Sequence, residues 1–308
     1  MRLKCILKIL DIISEFNVKI FSTSKETKKP LILDGAMGSL LQLTGFETGG
    51  SLWMTEVNQR NPEKIVQIHK EYIDAGADII TTNTFRTNPA AFVEKENKNI
   101  SEYVKNAVNL AKEAVGNSSV LIAGSNPPAE DCYQSERFIC NKTLELNHYN
   151  HIDILIDSGV DFILNETFSH LDEITLVCEY CSSKSIPYII SLYLNGELHL
   201  LSGETLEEAL ILIKEHKPLA IGLNCISPEQ FDKVFERMDI NSNWGFYLNC
   251  GFDEHKADDI TCRVAPNIYG EIVKKYLAFQ PSFIGACCGS SPEHIKTIKL
   301  ILEEMHPV

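Results

Sequence analysis

A (β/α)8 barrel is the fold this sequence predicts, and three observations carry the prediction. From Pro30 onward, short β-rich runs alternate with amphipathic stretches of helical period. Eight such strand–helix pairs follow one another, and a repeated alternation of this kind builds a parallel sheet that eight units can close. The length of 308 residues and the 44% hydrophobic content suffice for one large α/β core. An open doubly wound sheet is the alternative. It usually carries a nucleotide loop, and no G-x-G-x-x-G follows the first strand here.

The first strand is Leu31 to Asp34, followed by Gly35-Ala36-Met37-Gly38 and a long loop to Trp53. The first helix starts at Asn61-Pro62-Glu63, with proline at its first position, shows Ile65, Ile68, Tyr72 and Ile73 on one face, and ends at Gly76. The second strand runs from Asp78 to Asn83 and its helix from Ser101 to Val115. The third strand is Val120 to Ser125, followed by a long loop containing Asn126-Pro127-Pro128 and a helix near Leu144 to Asp157. The fourth is Asp161 to Glu166 with a helix near Leu171 to Cys181, and the fifth is Tyr188 to Tyr193 with a helix from Leu206 to His216. The sixth is Leu219 to Asn224 with a helix from Pro228, and the seventh is Trp244 to Leu248 with a helix near Ile268 to Leu277. The eighth is Ser282 to Ala286, and the last helix runs from Pro292 to about Glu304.

Residues 1–29 stand apart from this pattern and 30–308 form the barrel domain. Leu3, Ile6, Leu7, Leu10, Ile13 and Phe16 make an apolar helical face, with a polar linker from Ser22 to Lys29. Asp11 and Glu15 interrupt the lysines and no small-residue cleavage site follows, which argues against a targeting peptide. The expectation is an extra amphipathic helix packing on the domain or on a partner subunit. The net charge of −14, with no cluster of Lys and Arg, excludes a nucleic-acid or membrane-surface patch. No apolar run reaches the roughly 18 residues of a membrane span. Ten cysteines in a chain of this size, without a secretory signal, point to reduced thiols in the cytoplasm.

Barrel active sites lie at the C-terminal ends of the strands. Asp34, Asn83, Glu166, Asn224, Cys225, Cys287 and Cys288 all fall there. Cys287-Cys288 closes an apolar run and precedes a glycine turn, and Cys225 occupies the same place after the sixth strand. Three thiols at one rim suit Zn²⁺ with its fourth position open to a substrate thiol, which it would hold as thiolate. Asp34 and Glu166 suit the ammonium of an amino-acid substrate or, alternatively, a helix cap or loop hydrogen bond. Trp53 suits a pocket wall or a cationic methyl group. Cys178 and Cys181 lie on a helix and read as packing, as do His69, His148, His151, His199 and His294, on surfaces or in packing, while Cys250 closes the seventh strand.

Leu33-Asp34-Gly35-Ala36-Met37-Gly38, Thr82-Asn83-Thr84-Phe85, Glu166-Thr167, Gly222-Leu223-Asn224-Cys225 and Gly285-Ala286-Cys287-Cys288-Gly289 together resemble the motifs of the homocysteine S-methyltransferase family. That family includes S-methylmethionine-dependent enzymes, betaine–homocysteine methyltransferase and the N-terminal module of cobalamin-dependent methionine synthase. The resemblance spans Pro30 to Glu304. It implies a zinc-centred barrel that transfers a methyl group to homocysteine, giving methionine. Cys225, Cys287 and Cys288 would hold the zinc, and Asp34 and Glu166 would hold the homocysteine amino group as substrate-binding and catalytic residues. Asn83 and Asn224 fall within the matching motifs as further substrate contacts. Many relatives carry a Gly-Pro-Tyr-Gly-like run after the third strand, where this chain has Gly124-Ser125-Asn126-Pro127-Pro128-Ala129. With no length for folate or cobalamin modules and no long C-terminal arm, a sulfonium donor, S-methylmethionine or S-adenosylmethionine, is expected first and betaine second. A selenocysteine-type methyltransferase and a non-catalytic zinc-binding relative are the other readings.

Overall fold

The computed structural model describes residues 21, 29–47, 50–93, 99–235, 242–251 and 263–305. The predicted helix from Leu3 to Phe16 lies outside them, as do Cys5 and Cys262. The strands are β1 (Leu31–Ile32), β2 (Ile79–Thr81), β3 (Leu121–Asn126), β4 (Phe162–Phe168), β5 (Tyr188–Leu192), β6 (Ala220–Asn224), β7 (Trp244–Leu248) and β8 (Phe283–Ala286). All pair in parallel in the order β1-β8-β7-β6-β5-β4-β3-β2. The parallel bridge Leu33–Ile79 brings the two ends of this sheet together. The alternation read from the sequence is therefore a (β/α)8 barrel.

Closure rests on few backbone bonds, because β1 is two residues long. Asp34 N–H donates to Ile79 O at 2.9 Å and Asp78 N–H to Ile32 O at 2.7 Å. Carboxylates supply the missing acceptors: Asp78 Oδ2 accepts from Ile32 N–H, and Asp34 Oδ2 accepts from Thr81 N–H, both at 2.9 Å.

Helices α1 (Met37–Leu43), α2 (Val57–Arg60) and α3 (Pro62–Ala75) occupy the β1-to-β2 connection. The sequence suggests a long loop up to Trp53. Instead a helix of seven residues and a 3-10 turn at Gly50–Leu52 fill it, held by burial of Met37, Leu41 and Leu52. Gly76 ends α3 in the left-handed region, φ 108°. The remaining helices are α4 (Ile100–Val115), α5 (Asn141–Asp157), α6 (Leu171–Ser183), α7 (Leu206–Glu215), α8 (Pro228–Phe235), α9 (Pro266–Leu277) and α10 (Pro292–Met305). Thr205 and Glu208 form a reciprocal capping box at the start of α7. Among the described residues no helix is long and apolar enough to cross a membrane.

The strand alternation splits the core in two. Ile80, Ile122, Ile163, Ile190, Ile221, Phe246 and Ile284 join the layer under the helices, whereas Ile79, Leu121, Phe162, Leu164, Ile189, Ala220 and Phe283 fill the barrel. Phe21, from the segment expected to precede the barrel, packs in this inner cluster, edge-on to Phe162 with centroids 6.1 Å apart. Gly222 and Gly245, paired across β6 and β7, make room for the Phe283 ring. A Cβ on Gly245 would meet that ring and lie 2.5 Å from the Phe283 carbonyl oxygen. Gly245→Ala is therefore expected to destabilise the protein by about 2–3 kcal/mol, read as a lowered denaturant midpoint with an unchanged slope.

Candidate active site

A cavity of about 730 Å³ opens at the C-terminal ends of the strands, within the size range of small-molecule sites. Cys225, Cys287, Cys288, Asp34, Asn83 and Glu166 line it. The three Sγ atoms lie within 4.8 Å of one another, with Cys225 to Cys288 at 3.4 Å and Cys287 to Cys288 at 4.0 Å. Cys225 takes φ 58°, a left-handed conformation costly for a side chain with a Cβ, at the turn after β6. Hydrogen bonding with Cys225, then contact between Cys287 and Cys288 and burial, holds the Cys287 thiol well above its usual pKa. Cys288 is raised as well, first through Cys225. Three crowded thiols that resist ionising together fit a cation that takes the place of their protons. The donor set, half-open to the cavity, matches zinc with a free coordination position.

Asp34 is buried and Glu166 half-buried in the same cavity. Burial raises Asp34 well above the ordinary carboxylate range, against the hydrogen bonds from Thr81 and reinforced by the charge of Glu166. Glu166 is pushed up to about 7, first by burial, against the Ser125 hydroxyl that donates to its Oε1. The Tyr247 hydroxyl is buried beside Glu166. The charge of Glu166 raises the proton affinity of Asp34, an effect that a bound cation would offset.

The two asparagines are placed differently. Asn83 reaches the cavity wall, but its amide donates to Met54 O at 3.2 Å and Asn58 Oδ1 at 2.9 Å. Asn224 is fully buried and does not line the cavity. Its Oδ1 accepts from Thr167 N–H at 3.0 Å and Ser191 Oγ at 2.8 Å, while its Nδ2 donates to Thr167 Oγ1 at 2.8 Å. Thr167 sits at φ 64° in a register shift of β4 between Asn165 and Phe168. Asn224 thus braces the irregularity that carries Glu166.

Trp53 lines the cavity, and its indole fills the space a side chain on Gly38 would need. Sequence reasoning missed Ser125, Tyr133, Tyr247, Cys132 and Arg86, all on the cavity wall. Tyr133 Oη lies 3.1 Å from Cys225 Sγ, and its ring packs edge-on to Tyr193 at 5.1 Å. No local motif marks these residues; strand-end placement is the one signal that could have found Ser125. Cys178 and Cys181 are buried packing on α6, and Cys250 is buried, its N–H donating to Cys288 O at 2.8 Å.

The loop after β3 hangs on a buried polar chain. Asn126 Nδ2 donates to His148 Nδ1 at 3.1 Å and to Asn165 Oδ1 at 2.7 Å. With Nδ1 accepting, His148 Nε2–H donates to Glu173 Oε1 at 2.7 Å, and the same oxygen accepts from Ala129 N–H at 2.8 Å. His151 Nδ1–H donates to Asn126 Oδ1 at 2.8 Å; burial lowers its pKa to about 3, so it stays neutral. His148 and His151 pack, as expected, but as polar struts rather than apolar filler.

The fold and site define a class: a parallel (β/α)8 barrel whose mouth carries three thiols able to hold a metal ion beside two carboxylates able to meet a cation. The sequence profile of the homocysteine S-methyltransferases matches residues 31–302, and the chain belongs to that family. Homocysteine S-methyltransferase of Escherichia coli (strain K12) is 24% identical over 294 residues, 87% of this chain and 94% of the relative. Betaine-homocysteine S-methyltransferase of Drosophila melanogaster is 29% identical over 237 residues, 66% of this chain and 72% of the relative. The crystal structure of the E. coli homocysteine methyltransferase MmuM in its oxidised form superposes with a TM-score of 0.75 at 25% identity, covering 88% of this chain and 95% of that one.

Glu173 offers a test of the loop's anchor. Burial alone would raise its carboxyl, but the His148 hydrogen bond, the Arg137 guanidinium and the Ala129 N–H outweigh burial and hold it below the ordinary 4.5. A lowered folded-state pKa contributes stability above the unfolded value and loses it as pH falls through the folded one. Glu173→Gln should cost about 2 kcal/mol at pH 7. The gap to wild type should shrink as pH drops below 4.5, followed by urea denaturation across pH 3.5–7.

Proposed function

We propose that this protein transfers a methyl group from a sulfonium donor, S-methylmethionine or S-adenosylmethionine, to the thiol of homocysteine, giving methionine, with zinc as its metal. The observation that carries the reading is the meeting of Cys225, Cys287 and Cys288 within 4.8 Å, in one cavity with Asp34 and Glu166. The three cysteines would hold the zinc, which when bound supplies a thiolate from the substrate thiol near neutral pH. Asp34 and Glu166 receive the substrate ammonium, whose charge relieves their mutual repulsion and favours their ionised forms. Ser125 and Thr81 hold those carboxylates in place. Asn224 acts at a remove, through the shape of β4, and Asn83 through the wall it builds with Asn58.

The chain's task is alignment. The homocysteine sulfur attacks the methyl carbon in line with the leaving sulfur. A sulfur–carbon bond forms to the acceptor and one breaks at the donor, and the electron pair stays with the departing sulfide. The thiol proton leaves for solvent beforehand, so no general base is needed in the transfer. Reduced thiols in such a site suit the cytoplasm.

Betaine is the second donor reading, favoured by the similarity to the Drosophila betaine-homocysteine enzyme. The deciding assay incubates zinc-loaded protein with homocysteine and each of S-methylmethionine, S-adenosylmethionine and betaine, and measures methionine. Turnover with a sulfonium donor is expected. Zinc near one per chain with no methionine from any donor would instead mark a non-catalytic zinc-binding relative.

Two sets of substitutions probe the residues. Cys225→Ala and Cys288→Ala should each lose most of the bound zinc, measured by elemental analysis of dialysed protein; retention of full zinc by both would remove them as ligands. Asp34→Asn and Glu166→Gln should keep the zinc while raising the homocysteine KM by roughly tenfold to a hundredfold, with a much smaller effect on the donor KM.

A further inference from the structure

The cavity is lined by four carboxylates, Asp34, Glu130, Asp131 and Glu166, and among the described residues by one cation, Arg86. Arg86 follows β2 with φ 91°, in the left-handed region, a conformation that persists only where its surroundings hold it. The turn is closed by Thr87 N–H donating to Thr84 O at 2.8 Å, and Arg86 Nη1 donates to Glu130 O at 2.8 Å. That carbonyl is its hydrogen-bonding partner; among the described residues no carboxylate lies within ion-pairing distance of it. Arg137, by contrast, is matched by Asp172 at 2.8 Å and Glu173 at 3.4 Å. The Arg86 guanidinium sits 5.7 Å over the Phe85 ring, which packs edge-on to Trp53 at 6.0 Å.

In a chain of net charge −14, a half-buried arginine in the substrate cavity with no counter-ion among the described residues is a place for an anion. The rigid fork of donors suits a carboxylate taken up in two parallel hydrogen bonds. The acidic pair at β1 and β4 is already assigned to the acceptor's ammonium. Arg86 stands instead beside the aromatic wall of Phe85 and Trp53, and aromatic faces attract methylated cations. Resting on the methyltransferase reading above, we infer that Arg86 receives the carboxylate of the methyl donor. The donor is then a zwitterion, with its methylated sulfonium or ammonium held away from Arg86 and its carboxylate on it. A methylating cation without a carboxylate is a poor ligand.

The test uses two matched probe pairs on zinc-loaded full-length protein. One is S-methylmethionine and dimethyl(3-aminopropyl)sulfonium, which lacks the carboxylate; the other is betaine and choline. Dissociation constants come from isothermal titration, and KM values for donor and homocysteine from methionine formation. Wild type should bind the carboxylated member of at least one pair about tenfold or more tightly than its counterpart. Arg86→Gln should abolish that preference, Arg86→Lys should keep part of it, and the homocysteine KM should stay within about twofold in both. Melting temperatures near wild type establish that both variants are folded, and should Arg86→Gln fail to fold, the partial loss in Arg86→Lys decides. Retention of the full preference in a folded Arg86→Gln, or in Arg86→Lys where that variant decides, would overturn the inference. So would a homocysteine KM that rises tenfold while the donor KM stays put, or a wild type that prefers neither carboxylated probe. If no donor yields methionine yet Arg86→Gln loses the preference in titration, the methyltransferase reading fails while the anion site stands.

Discussion

The site exists because the sheet closes at β1. That strand is two residues long, so Leu33, Asp34 and Asp78 finish the closure with one bridge and side-chain acceptors. Beyond the strand, Ser290 Oγ accepts from Ala36 N–H at 3.0 Å and Ser39 Oγ accepts from Gly289 N–H at 3.0 Å. These bonds sew the loop after β1 to the loop after β8, and with it the double cysteine to Asp34. A closed sheet has no free edge. Here the residues that remove the edge are also those that shape the cavity.

Asp34 shows what this sharing costs. One carboxylate caps Thr81 at the seam of the barrel and contributes negative charge to the mouth, where burial and Glu166 both oppose its ionisation. The cavity is thus built from groups whose crowding a cation would relieve: two carboxylates, one buried and one half-buried, and three thiols. Strained backbone accompanies them at Trp53, Arg86, Thr167 and Cys225, each in the left-handed region and each next to or within the cavity. Such strain persists where surrounding structure over-determines it. Asn224 supplies that support for Thr167 from within the barrel.

The loop after β3 is set by a different device. Proline-rich sequence after β3 has few backbone donors to fix it, so buried side chains do the fixing, from Asn126 through His148 to Glu173 and back to Ala129. This loop presents Tyr133 to Cys225 and the Glu130 carbonyl to Arg86. The loop therefore lies against both the thiol cluster and the one cation of the described cavity wall.

The barrel and the thiol cluster were readable in the sequence because both follow from local rules. Short β-rich runs, helices of period 3.6 and a helix start such as Pro62 after Asn61 place each element within a few residues, and Cys225, Cys287 and Cys288 stand at strand ends wherever the strands go. The helices inside the first long connection were not readable, since burial of Met37 and Leu52 against distant residues stabilises segments too short to announce themselves. Nor was the direction of each strand-end side chain. Asn224 and Cys225 are neighbours in sequence, yet one turns into the sheet to brace Thr167 and the other reaches the cysteines after β8, because Cys225 itself leaves the strand in a left-handed conformation. Arg86, Tyr133 and Phe21 acquire their places from long-range closure in the same way. Local sequence determined the elements and the thiols; tertiary structure alone decided which polar groups face the substrate, because that choice depends on hydrogen bonds between residues far apart in the chain.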